Sequence, residues 1–141
     1  PCEDSVLREE LKQAVKKNRD IILNLSFIEA DNLHYYLNSA DACVFPFRRI
    51  TTSSSVMLAM SFGKAVICPK EGEMADLPDE TGFYYDKKER SDLLNCLIGS
   101  YSDPNLTKQK GNNALKYSKT RNWSEISNLT QIAYRKLLKW I

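Results

Sequence analysis

The stretch Asp41–Pro69, DACVFPFRRITTSSSVMLAMSFGKAVICP, decides the fold. Ala42 to Phe45 and Ala65 to Cys68 are short apolar runs, each closed by a proline (Pro46, Pro69) that cannot donate to a central ladder, and both read as strands. Between them the polar segment Arg48 to Ser55 runs straight into Val56 to Met60. That run reads as a helix, free of Gly and Pro until Gly63, the expected left-handed residue that ends it.

Upstream, Ser5 to Lys17 carries Leu7, Leu11, Ala14 and Val15 at helical spacing, with Ser5 as the expected cap. Asp20 to Leu25 is a short, β-branched apolar run and predicts a buried strand, and Asp31 is expected to cap a helix bearing Leu33, Tyr36 and Leu37. Downstream, Gly82 to Tyr85 predicts a short strand, after which the chain reads as wholly helical. The segments are Ser91–Ser100, a helix from Pro104 to about Ser118, and Ser124–Lys139 with Ile126, Leu129, Ala133, Leu137 and Trp140 on one stripe. Apolar strands alternating with helices give an α/β class: a Rossmann-like parallel sheet with helices on both faces. Such a sheet usually opens on a strand and this chain opens on a helix, so a first strand is expected to be missing ahead of Pro1.

The 141 residues fit one domain, which at this size buries roughly 68–70% of the surface of its unfolded chain. A formal net charge of +2, with both signs interspersed, argues against nucleic acid or a polybasic membrane surface as partner. No apolar run reaches the ~20 residues of a bilayer span, no secretory leader is read, and a start at Pro1 is expected of an excised or processed segment. The four cysteines, Cys2, Cys43, Cys68 and Cys96, form no CxxC pair and read as reduced thiols, with neither a zinc site nor a disulfide framework. Four Asn-x-Ser/Thr triplets begin at Asn24, Asn105, Asn122 and Asn128, and carry no meaning in the cytoplasmic setting that reduced cysteines favour.

In an open parallel sheet, ligands sit at the carboxyl ends of strands. The loop Pro46 to Ser55 feeds a helix N-terminus whose free amides and positive dipole end suit a phosphate. Thr52, Ser53, Ser54 and Ser55 add hydroxyls there, and Arg48 and Arg49 add guanidinium groups able to grip phosphate in bidentate fashion. The same residues also read more plainly as a helix cap and a solvated surface. In the next loop, Pro69 to Leu77, Glu71, Glu73 and Asp76 lie beside Lys70 and Gly72, and their carboxylates suit sugar or ribose hydroxyls. His34, the one histidine, reads as structural, and Trp123 and Tyr134 read as core rather than as ligand-stacking rings.

Four stretches in order carry a family likeness: NSADACVFPF (Asn38–Phe47), TSSSVMLAMSFGKAVI (Thr52–Ile67), GEMADLPDETGFYYD (Gly72–Asp86) and NWSEISNLTQIAY (Asn122–Tyr134). From about residue 20 to 139 the sequence resembles the C-terminal, donor-binding domain of GT-B glycosyltransferases, and more narrowly the retaining group-one family. The resemblance implies a hexosyltransferase-type enzyme of polysaccharide biosynthesis whose donor is a nucleotide-diphosphate sugar. It places the diphosphate on Ser53–Ser55, the ribose near Val56–Met60 and the base near Phe27 and Ile28. The transferred sugar would face the Gly72 loop and the Arg48–Thr52 segment. It implies no metal and no other cofactor, an acceptor held by a missing N-terminal domain, catalytic groups supplied by that absent half, and little or no transfer by this chain alone. The last helix is expected to cross onto the missing domain, or in its absence to self-associate through an exposed apolar face.

The sequence departs from the family where many members carry a pair of glutamates, since Ile50 and Leu58 stand there. Ser54 replaces a glycine, Ala65 a proline and Asp76 a glutamate. These departures fit a subfamily that holds the diphosphate with hydroxyls and amides. They fit equally a non-catalytic, Rossmann-like regulatory or structural module with a degraded site.

Overall fold

The computed structural model describes residues 4–138, so Cys2, Lys139 and Trp140 lie outside the described residues. The chain divides into two compact units, Pro1–Tyr35 and Tyr36–Ile141.

In the first unit, α1 (Ser5–Lys16) forms on the predicted stripe. Its cap is Asp4 rather than Ser5, because the Asp4 carboxylate accepts from the amides of Val6 at 2.9 Å and Leu7 at 3.1 Å. The strand expected over Asp20–Leu25 does not form. A strand exists through its ladder, and no described segment pairs with this one. Its flanking amides go instead to local side-chain turns: Asp20 donates to Asn18 Oδ1 at 3.0 Å and Ser26 to Asn24 Oδ1 at 2.9 Å. Ile22 is left 95% exposed. The next helix, α2 (Ala30–Ser39), starts one residue before Asp31, which lies in its first turn and does not cap it.

The second unit holds a three-stranded parallel sheet of β1 (Ala42–Val44), β2 (Ala65–Pro69) and β3 (Gly82–Tyr85), in that spatial order. Ala42 pairs with Ala65, and Val66 with Gly82. All five β2 residues are buried, and since successive side chains point to opposite faces, both faces of the central strand are covered. The helices of this unit are α3 (Ser54–Ser61), α4 (Arg90–Ser102), α5 (Pro104–Lys119) and α6 (Trp123–Leu138). Val56, Ala59 and Met60 of α3 bury against Val66 and Cys68 of β2, Ala114 of α5, and Met74 and Leu77 of the following loop.

Gly63 ends α3 with φ +70°, as the sequence predicts. Gly111 of α5 packs directly on that turn, where a Cβ would run into the Gly63 carbonyl oxygen. The last helix differs from the others in that every residue of it is exposed, and Trp123 and Tyr134, expected in the core, are 85% and 63% exposed because no described element covers that stripe. His34 is half-buried, its ring 3.9 Å from that of Tyr35.

Candidate functional site

β1 and β2 deliver two loops to the same end of the sheet. After β1, the amide of Phe45 still reaches Ile67 O at 2.8 Å, Phe47 N–H closes on Phe45 O at 2.9 Å, and the two phenylalanine rings stack with centroids 5.7 Å apart. Arg48, Arg49, Thr51 and Thr52 then run exposed, while Ile50 packs against the core.

Ser53 is buried and caps α3: its Oγ accepts from the Val56 amide at 3.2 Å and its carbonyl from the Met57 amide at 3.3 Å. The helix therefore begins at Ser54, two residues ahead of the sequence expectation. Ser54 and Ser55 lie exposed in the first turn, and their amides find no acceptor among the described residues. Two oriented donors, two hydroxyls and a positive helix end thus face the solvent at one point.

The second loop is tied to the first by three contacts. The Glu73 amide donates to Thr51 O at 2.8 Å. Gly72 has φ +55°, and a Cβ on it would stand 2.7 Å from the carbonyl oxygens of both Ile50 and Thr51. Lys87, on the turn after β3, donates to Arg48 O at 2.6 Å and forms an ion pair with Glu71.

Sequence reasoning named both loops but missed Lys87, which no local pattern marks. It also treated Glu71 as free for a hydroxyl ligand, whereas Lys87 engages its carboxylate. Glu73 and Asp76 remain exposed, without side-chain partners among the described residues. Lys70 pairs with Asp79 at 2.7 Å, and this hydrogen bond holds the Asp79 carboxyl below the usual carboxylate range. Arg48, Thr52, Ser53, Ser54, Ser55 and Gly72 therefore share one pair of loops. Phe27 and Ile28 belong to the first unit, where Phe27 is exposed and Ile28 half-buried. Among the described residues, no cluster of His, Cys, Asp or Glu is arranged to hold a metal ion.

Residues 3–103 match the family model described as glycosyl transferases group 1. The chain belongs to this family. The fold of this group 1 glycosyltransferase chain is similar to that of the sucrose-phosphate synthase of Thermosynechococcus elongatus, with a TM-score of 0.77 at 23% identity. The match covers 99% of this chain and 36% of that one, so the chain spans little more than a third of its structural relative. No curated protein sequence matches it. The α/β sheet with covered faces is the GT-B half-domain that the group 1 resemblance implies. No described helix of this glycosyltransferase chain is long and apolar enough to cross a membrane.

Proposed function

We propose that the chain is the donor-binding half of a cytoplasmic hexosyltransferase acting in polysaccharide biosynthesis. It binds a nucleotide-diphosphate sugar for transfer to an acceptor held by a further, N-terminal domain. The observation that carries this reading is the pair of unsatisfied amides at Ser54 and Ser55, set beside the Arg48 loop at the carboxyl end of a parallel sheet.

The mechanism follows from charge. As the bond from sugar carbon to diphosphate oxygen breaks, negative charge grows on the leaving diphosphate. Donors already oriented at a helix terminus stabilise that charge without reorganising, and no metal is required of them. The Ser54 and Ser55 amides and the Ser54, Ser55 and Thr52 hydroxyls serve as those donors, with Arg48 as counter-charge. Gly72 holds the sugar-facing loop against them. The acceptor hydroxyl and any group that deprotonates it belong to the other domain, so the chain alone binds donor and transfers nothing. Its three described cysteines are free, which suits a reducing cytoplasm.

A second reading, a non-catalytic module, is favoured by one observation: Ile50, at a position where family members carry a glutamate, is an apolar residue packed on the core. Replacing Ser53 and Ser55 by Ala in a protein that carries both domains separates the readings. Sugar transfer reduced at least about tenfold with the fold intact supports donor binding, and unchanged transfer refutes it.

A further inference from the structure

A groove of about 740 Å³ lies at the opposite end of the sheet from the two loops, where Ala42 opens β1 and Lys64 precedes β2, and between the end of α4 and the start of α5. Five side chains that line it, Asp41, Tyr101, Asn105, Lys108 and Asn112, make no hydrogen bond or ion pair among the described residues. The other polar members are engaged: Lys64 is turned to the carbonyl of Asn38 at 3.3 Å, and the Ser100 and Thr107 hydroxyls donate to the carbonyls of Leu97 and Ser100. Tyr101 is 86% exposed, an aromatic ring left in water at the rim of a concave polar surface. Nothing in the core or in the proposed chemistry accounts for this gathering.

The chemistry of the lining selects its ligand. Each asparagine amide offers a donor and an acceptor in one plane, Asp41 offers acceptors, and the two lysines offer donors, a mixture that matches vicinal hydroxyl groups. The tyrosine face accepts the C–H face of a sugar ring, and its hydroxyl adds a polar handle. An anion is disfavoured on two counts. The Asp41 carboxylate lies in the groove. At the N-terminus of α5 the anion seat is already filled by the protein itself, since the Asp103 carboxylate accepts from the Leu106 amide at 2.9 Å.

We infer that this groove binds a neutral oligosaccharide, which gives the chain a second carbohydrate site remote from the donor loops. A growing glycan held there stays attached while its end is extended elsewhere, and its local concentration rises accordingly. The inference does not require donor binding at Ser53–Ser55, and one sample reads both.

Amide and side-chain NMR of the 141-residue chain is recorded against maltoheptaose, cellopentaose and mannopentaose, and separately against inorganic phosphate and UDP. The expected result is that at least one saccharide shifts the signals of Tyr101, Asn105 and Asn112, while UDP shifts those of Ser54, Ser55 and Thr52 and none in the groove. Tyr101→Ala and Asn112→Ala each weaken the saccharide about tenfold and leave the UDP shifts unchanged. Both positions are exposed, so the two variants serve as independent checks on folding. Silence of the groove toward all three saccharides at about 10 mM overturns the inference, as does a groove that answers to phosphate instead. Loss of the UDP shifts alone counts against donor binding and leaves the groove standing.

Discussion

The carbonyl oxygen of Thr51 accepts the amide hydrogen of Glu73 at 2.8 Å, joining the loop that follows β1 to the loop that follows β2. Gly72 lies directly beside that bond with φ +55° and backbone in contact with Ile50 and Thr51, so the two loops form one surface. Lys87 seals the same junction from the turn after β3. The proposed diphosphate seat therefore rests on long-range backbone contacts as much as on its own serines.

Gly72→Ala tests that junction. The new methyl meets two carbonyl oxygens and the residue must keep a left-handed backbone, which together destabilise the fold by about 2 kcal/mol or more. Urea denaturation measures the loss, and hydrogen exchange at the Glu73 amide speeds up by more than the global loss of stability explains. A variant as stable as the parent would mean that the loops do not meet in solution.

Ser53 separates capping from ligand binding. Ser53→Ala removes the bond to the Val56 amide and costs about 1 kcal/mol. Ser53→Asp restores a cap of equal or better quality but puts a carboxylate against the diphosphate. The aspartate variant should keep the parent's melting temperature to within a few degrees, about 1 kcal/mol of stability, and lose nucleotide-diphosphate binding in calorimetry. Retained binding would move the diphosphate away from this helix start.

Much of this fold is legible from periodicity. β3 appears at its predicted bounds, Gly63 ends α3 with the predicted positive φ, and the boundaries of the three late helices that fall within the described residues agree to within two residues. Asp20–Leu25 fails because a β-branched apolar run specifies a strand only when a neighbour completes its ladder. Trp123 and Tyr134 fail for the related reason that an apolar stripe is core only where something covers it. In the site, the hydroxyl run and Gly72 carry local signals of a cap and a turn. Lys87 carries none, since its partners Arg48 and Glu71 lie far away in sequence and meet it only through the parallel sheet.

The ionisable groups around β2 and β3 set an alkaline limit. Burial pushes the Cys68 thiol up to about 12. It also raises the Tyr84 hydroxyl, against the opposing effect of its hydrogen bond with Thr81, and raises Cys43, Cys96 and Tyr85. Each of these groups is neutral when protonated and holds its proton more tightly folded than unfolded. Stability is therefore full below about pH 9 and falls as pH rises toward 12, by up to about 1.4 kcal/mol per pH unit for each fully buried group. Lys110, whose ammonium burial disfavours, acts in the opposite sense but is only partly buried. Denaturation at about pH 8 and pH 10.5 should give a clear drop, shallower in Cys68→Ala. A flat profile would contradict the buried placement of Cys68.

The uncovered stripe of α6, with Leu129 and Ile132 both exposed, should drive self-association when the chain is isolated. Sedimentation velocity is expected to give a mass that grows with concentration for the parent and stays monomeric for the Leu129→Glu, Ile132→Glu double variant. Folding stability changes by no more than about 0.5 kcal/mol, as for other surface substitutions. A parent that remains monomeric at every concentration would contradict this.

The central claim is that the start of α3 binds the diphosphate of a sugar donor. The most direct measurement follows the amide signals of Ser54 and Ser55 while UDP or GDP is titrated into the chain. The account predicts saturable shifts centred on these two amides and on Thr52, with at least one of the two nucleotides. Shifts absent there for both, at concentrations up to about 10 mM, would contradict it.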